Sequence, residues 1–314
     1  MKIAFCSLDP FWRGICDNGG SRTILRSAET LRKMGHRVDV VCKKDTFTWF
    51  DHPKCLRKIP KDVDVSIAIA VTDIPHLMRK GHGKLAYWAR PFESWQLPTH
   101  GCKRILKDFH KHGGTIMCNS TWQKDWMAER GIPATVVFNG LDFDEWEDRG
   151  MRGTKKTIGC LYHLHPRKRW KDFKKLRKLL GKEFNYAAYG ACKPKSTTWG
   201  RFYKNPSHGT LVSLYSSCDI WFAPSVLEGF HNPPYESNLC GCLVCRPVLD
   251  SCGSGDAAHD GTALVYSSIR DAAKQIREAD YGLVPLMQNV IAEKIGTREK
   301  NMQILIETLT KGAS

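Results

Sequence analysis

The sequence predicts an α/β protein built from two doubly wound, Rossmann-like parallel sheets. Short apolar runs rich in β-branched residues alternate with helical stretches, which is the rhythm of a buried parallel sheet. A polar, charged segment from Asp142 to Lys156 interrupts that rhythm, which then restarts. At 314 residues the chain also exceeds the size at which a single core usually splits.

In the first half the predicted strands are Lys2 to Cys6, Val38 to Cys42, Val63 to Ala70, Lys84 to Ala89, Thr115 to Asn119 and Thr135 to Phe138. Helical stretches such as Arg22 to Met34 and Lys103 to Lys111 separate them. In the second half the strands are Thr157 to Leu161, Phe184 to Tyr189, Asp219 to Ala223, Leu243 to Cys245 and Ala263 to Tyr266. The predicted division is a first domain of residues 1–150, a second of residues 151–296, and a closing helix from Thr297 to Leu309. In Arg167 to Leu180, the spacing of Trp170, Phe173, Leu176 and Leu179 marks a core-facing helical stripe.

No apolar run approaches the roughly 20 residues a membrane span needs, and Met1 to Ser7 reads as a buried strand rather than a signal peptide. A cytoplasmic protein is expected, with its thirteen cysteines as reduced thiols.

The net charge of +16 is concentrated. Residues 1–150 carry 24 Lys and Arg against 18 Asp and Glu, and residues 205–314 carry 8 against 12. Residues 151–204 carry 16 against 2. A pyrophosphate needs few cations, so the surplus points to a polyanion as partner, either nucleic acid or an anionic membrane surface, with a basic face kept for solubility as the plainer reading.

The most informative stretch is Glu228-Gly229-Phe230-His231-Asn232-Pro233-Pro234-Tyr235-Glu236. Pro233 and Pro234 suit a first helical turn, and Gly229 to Asn232 can present free amides at the positive end of the helix dipole. Such a loop favours a phosphate or a hydroxyl-rich ring, and the two carboxylates suit polyol hydroxyls because each offers two acceptor oxygens.

That loop, with the preceding run Leu214 to Ser225 and Gly241, resembles the retaining nucleotide-sugar glycosyltransferases of GT-B fold that carry the E-x7-E signature. Further matches are the opening strand with Gly19-Gly20, the Asn119-Ser120 turn, Phe138 to Asp142, and Gly253 to Tyr266, so the likeness spans most of the chain. The resemblance implies that Glu228, Gly229, Phe230, His231 and Asn232 hold the donor sugar and that Glu236 holds the nucleoside. It also implies that Gly19 and Gly20 line the cleft near the diphosphate and the acceptor, and that the last helix, within 297–314, packs back onto the first domain.

Lys168 matches the family lysine that neutralises the donor pyrophosphate. The family arginine falls on His163, a departure for which Arg167 or Arg169 can supply the missing charge. A fixed cation there lowers the barrier as the nucleoside diphosphate leaves with growing negative charge.

The Gly19-Gly20 loop is not G-x-G-x-x-G, so a nicotinamide cofactor is a poor reading. Arg90, Glu93 and Trp95 follow the end of a first-domain strand, where doubly wound sheets place their sites. They are candidates for the acceptor side, where Glu93 either orients or deprotonates the acceptor hydroxyl or only pairs with Arg90.

Cys240, Cys242, Cys245 and Cys252 with His259 lack a paired C-x2-C spacing, and neither Asp62-Val63-Asp64 nor Asp142-Phe143-Asp144 is placed as a metal-binding D-x-D. No metal or other cofactor is therefore expected.

The functional expectation is a retaining, metal-independent hexosyl- or pentosyltransferase using a nucleoside-diphosphate sugar. A hydroxylated base in DNA is the first acceptor, suggested by the basic block with Trp199, Phe202 and Tyr203. A lipid-linked glycan at an anionic membrane is the alternative. A third reading, a non-catalytic nucleic-acid-binding module on a degenerate transferase fold, is disfavoured by the intact glutamate pair and Lys168.

Overall fold

The computed structural model describes residues 1–9, 14–90, 99–249 and 251–311. The chain divides into two compact units, Met1–Gly140 with Thr297–Ser314, and Leu141–Gly296.

The strands of the first unit are β1 (Lys2–Ser7), β2 (Ile15–Cys16), β3 (Arg37–Cys42), β4 (Asp45–Thr46), β5 (Val65–Ala68), β6 (Lys84–Ala89), β7 (Thr115–Cys118) and β8 (Thr135–Val136). Its helices are α1 (Gly19–Lys33), α2 (Ile74–Lys80), α3 (Thr99–Lys111) and α4 (Thr121–Ala128). Six strands form one parallel sheet in the order β3-β1-β5-β6-β7-β8, while β2 and β4 pair separately.

The period-two alternation of β1 feeds both faces of that sheet. Ile3 and Phe5 join one core with Ile24 and Leu31 of α1, and Ala4 and Cys6 join the other with Leu106 and Phe109 of α3.

The second unit contains β9 (Thr157–Leu161), β10 (Asn185–Gly190), β11 (Arg201–Lys204), β12 (Ile220–Phe222), β13 (Leu243–Pro247) and β14 (Leu264–Tyr266). With them are α5 (Trp170–Leu180), α6 (His208–Ser216), α7 (Asn232–Leu239), α8 (Ile269–Arg277) and α9 (Leu283–Val290). The sheet is again parallel, in the order β11-β10-β9-β12-β13-β14. The last helix, α10 (Arg298–Lys311), belongs to the first unit, where Met302, Leu305 and Leu309 enter the core with Ile24 and Leu31.

The division differs from the predicted one at one point. Residues 141–150 belong with the second unit rather than the first, because Trp146 packs edge-on against His208 (4.7 Å) and Arg149 bonds Ser213 Oγ (2.8 Å) and Gly209 O (3.1 Å). Helix α5 buries Phe173, Leu176 and Leu180, whereas Leu179, predicted as core, is 44% exposed. The buried face therefore runs i, i+3, i+7 one residue beyond the predicted stripe. Strand β11 was not foreseen, because an edge strand flanked by exposed Arg201 and Lys204 lacks the apolar run of a central one.

Candidate functional site

In the second unit the winding reverses at β9: β10 and β11 lie on one side, β12 to β14 on the other. The carboxyl ends of strands at such a switch point are where open α/β sheets bind ligands. The loops leaving β9, β12 and β13 are stitched together there by backbone bonds. Val226 N donates to Arg167 O (3.0 Å), Glu228 N to Ser251 O (3.2 Å) and Gly253 N to Glu228 O (3.4 Å). A Cβ on Gly253 would lie 1.9 Å from Gly229 O, so only glycine lets the two loops approach this closely.

The loop after β9 forms a short 3-10 turn, Pro166–Lys168, opened by His165, whose Nδ1 accepts from Arg167 N (3.4 Å). The turn delivers Lys168 to Glu228, and its Nζ pairs with Glu228 Oε1, both side chains being largely buried. Burial opposes ionisation of Glu228, but Lys168, with His231 and Arg167, outweighs it and holds the carboxyl at about 2. Arg167 is pushed down to about 10 by burial, with Glu228 favouring its charge.

His163 is depressed by burial and by Lys168 and Arg167, and its Nδ1 accepts from His165 N (2.9 Å). Arg169 adopts a left-handed conformation (φ 50°) at the start of α5, and its Nε bonds Asp172 Oδ2 (2.6 Å). Of the three residues weighed for the second phosphate contact, Arg167 is the one whose charge acts directly on Glu228 while Arg169 is tied to an acid of its own helix.

The loop after β12 ends at His231, the residue before α7, in a left-handed conformation (φ 66°, ψ 65°). A non-glycine residue there carries strain on the order of 1–3 kcal/mol and persists where its surroundings over-determine it. Here the surroundings are Ser254 Oγ and Cys252 Sγ, each 3.3 Å from His231 Nδ1. Burial holds this imidazole at about 3, against the pull of Glu228, so it is neutral at physiological pH.

Asn232 opens the helix, followed by the prolines. Phe230 is buried and stacked on Tyr235 at 4.5 Å, which leaves its backbone rather than its ring for ligand contact. Glu236 lies one turn inside α7 and is buried, its Oε2 accepting from Tyr215 OH (3.3 Å), whose oxygen lies 3.0 Å from Tyr189 OH.

Ser254, Cys252, Tyr215 and His165 enter the site without having been singled out as donor ligands. Their roles depend on loops after different strands meeting, a proximity no local motif encodes. Of the four cysteines in 240–252, Cys242 Sγ donates to Tyr215 O (3.1 Å), and Cys252 Sγ lies 3.3 Å from His231 Nδ1. Of the Asp-x-Asp pairs, Asp62 is bound by Arg37 (2.7 Å) and Lys2 (3.1 Å).

In the first unit the same topology recurs, with β1 between β3 and β5. Asn18 Oδ1 accepts from Ser21 N (2.8 Å) and caps α1, so Gly19 and Gly20 form its first turn. Arg90, directly after β6, braces that turn: its guanidinium donates to Gly20 O and to Ile69 O (3.3 Å). Burial lowers Arg90 to about 9, with buried Asp73 favouring the charge. Glu93 and Trp95 lie outside the described residues.

The basic block is largely solvent-facing. Lys171, Lys174, Lys175 and Lys178 are exposed on α5, and Lys155, Lys182, Lys193, Lys195 and Lys204 are exposed elsewhere in the unit. The aromatics assigned to it behave differently: Trp199 packs against Trp170 (5.4 Å) and Phe173 (5.7 Å), and Phe202 against Tyr162 (5.8 Å). Among the described residues no helix is long and apolar enough to cross a membrane, and all thirteen cysteines are free thiols.

No family model and no curated protein matches the sequence. Solved structures do match over nearly the whole chain. HepE of Anabaena, determined in complex with UDP-glucose, superposes with a TM-score of 0.77 at 12% identity, covering 99% of this chain and 100% of its own. A glycosyltransferase from Rickettsia africae gives 0.74 at 13% identity, covering 98% and 97%. Sucrose-phosphate synthase from Thermosynechococcus elongatus gives 0.71 at 12% identity, covering 99% and 96%. Identities this low speak to the fold, and the fold they share with this chain is the GT-B architecture of two parallel Rossmann-like sheets.

Proposed function

We propose that the chain is a cytoplasmic, metal-independent, retaining glycosyltransferase that moves a sugar from a nucleoside-diphosphate donor to a hydroxyl acceptor. The observation that carries this reading is the buried Lys168–Glu228 pair beside Arg167 and the amino end of α7. In the reaction the acceptor oxygen replaces the diphosphate at the anomeric carbon, and charge grows on the departing phosphate. Lys168 and Arg167, already desolvated, stabilise that charge, and the α7 amides and helix dipole add to it without reorganising.

Glu228 and His231 take sugar hydroxyls, the neutral imidazole serving as a hydrogen-bonding group rather than a cation. Glu236, paired with Tyr215, takes the ribose. Gly19 and Gly20 act on the donor diphosphate, and Arg90 acts on the acceptor side and braces their turn through Gly20. The GT-B structures solved with UDP and UDP-glucose support a uridine donor for this site.

For the acceptor we favour a hydroxylated base in DNA, supported by the exposed lysines of α5 and its surroundings. Because Trp199 and Phe202 pack inward, DNA contact through this face is to phosphates rather than by base stacking. The same exposed lysines also support a membrane-surface enzyme building a lipid-linked glycan. A panel of radiolabelled sugar nucleotides, offered with hydroxymethylated duplex DNA and with lipid acceptors in anionic vesicles, separates the readings. Label entering DNA is the expected result; label entering only lipid replaces the acceptor, and no transfer or hydrolysis from any donor overturns the enzyme reading.

A further inference from the structure

Outside the candidate active site, three side chains converge where β3 ends, and Cys42, whose Sγ donates to Lys44 O (3.2 Å), lines the same pocket. Asp45, His52 and Cys55 bring one ligand atom each within 4.8 Å of one another, and the sulfurs of Cys42 and Cys55 share a hydrogen bond. We propose that Cys42, Asp45, His52 and Cys55 form a structural site for a divalent, thiophilic metal ion, zinc by chemistry.

Spacing is the first support. The four residues fall into two pairs, 42/45 and 52/55, each with two residues between, the arrangement by which short knuckles offer ligands to tetrahedral zinc. The backbone closes the two knuckles on each other: Cys42 N donates to Leu56 O (3.0 Å), Leu56 N to Val40 O (2.8 Å), and Val41 bridges Leu56.

Histidine geometry is the second. His52 Nδ1 lies 3.0 Å from Pro53 O, a contact that orients the ring and turns Nε2 into the cluster. That Nε2 points at Asp45 Oδ1, 3.6 Å away. That separation is too long for a hydrogen bond. It matches the edge of a zinc tetrahedron, about 3.3–3.8 Å for ligands at the usual bond lengths.

Charge is the third. Two thiolates and a carboxylate would overcompensate a dication by one unit, and Lys54 and Arg57 line the same pocket to balance the excess.

The ion would pin a segment with little regular structure to the sheet. Residues 45–52 carry Thr48, whose N and Oγ1 each bond Asp17 at 2.7 Å, and Ile15 N bonds Lys44 O at 3.0 Å. A Cβ on Gly14 would meet Lys44 O at 2.2 Å, which keeps these strands in close contact. Metal binding would therefore hold the turn that leads into Gly19 and Gly20.

The test is metal analysis of the whole chain purified under reducing conditions from zinc-supplemented cells, followed by cobalt substitution. The expected result is about one zinc per chain, and for cobalt a tetrahedral spectrum with thiolate charge transfer. Cys42→Ser and Cys55→Ser should lose it, and Cys192→Ser, an exposed cysteine elsewhere, should keep it. Should either serine variant fail to fold, the cobalt spectrum and the chelator-dependent alkylation of Cys42 and Cys55 in the unaltered chain decide the matter. Metal below a tenth of an equivalent after zinc reconstitution, cobalt bound without thiolate bands, or a Cys42–Cys55 disulfide in the reduced preparation would each overturn the site. All these readouts stand apart from transfer activity.

Discussion

Replacing Lys168 with methionine removes the cation while keeping most of the side-chain volume, and its cost follows from the state of Glu228. That carboxyl is held at about 2 rather than its ordinary 4.5, a difference of about 2.5 units, or roughly 3 kcal/mol of net stabilisation of the ionised form. Glu228 is only 8% exposed, so solvent screens little of this. Lys168→Met should therefore destabilise the second unit by roughly 2–4 kcal/mol, because it strands a buried carboxylate.

Scanning calorimetry of Lys168→Met, Glu228→Gln and the double variant closes a thermodynamic cycle. The double variant should recover at least about 1 kcal/mol relative to the sum of the singles, since removing both charges leaves neither unpaired. Transfer from the donor should nonetheless fall about a hundred- to a thousandfold in Lys168→Met and stay down in the double variant, because a transition-state contact to the leaving phosphate is gone in both. Stabilities additive within about 0.5 kcal/mol would refute the pair, and full transfer by Lys168→Met would refute its role.

Glu236→Ala should weaken donor binding about ten- to a thousandfold, and Glu228→Ala should lower turnover over a similar range; isothermal titration and initial rates separate the two effects. Brief EDTA treatment should leave transfer intact, and loss restored by magnesium or manganese, as distinct from zinc, would overturn the metal-free mechanism. The folded pKa values of Glu228 (about 2) and His231 (about 3) lie below the ordinary 4.5 and 6.5, so on acidification the unfolded chain binds more protons. The stability these groups contribute is full above about pH 6.5 and declines as pH falls towards 2. His231→Gln should remove the part of the decline between 6.5 and 4.5 in melts followed against pH. Charge reversal at Lys174, Lys175 and Lys178 should flatten the salt dependence of duplex DNA binding, each lost phosphate contact removing about 0.9 from the log–log slope, with donor binding unchanged. Binding to anionic vesicles but not duplex would move the assignment to a membrane surface.

The sequence by itself determined the fold class, because the central strands are buried over most of their length and announce themselves as apolar runs. Lys84–Ala89 and Thr157–Leu161 occur where the pattern places them. It also placed the helix start at the prolines and the turn carrying Lys168, since both are local constraints. What is local in space but distant in sequence was decided only by tertiary structure. The membership of residues 141–150 rests on Trp146 and Arg149 finding α6, some sixty residues away. The neutrality of His231 and the ionisation of Glu228 come from loops after three strands closing over one another, and the convergence of Asp45, His52 and Cys55 beside Cys42 from a backbone return at Leu56. Periodicity reports which face of an element is buried, whereas charge state and ligand geometry depend on which elements that burial brings together.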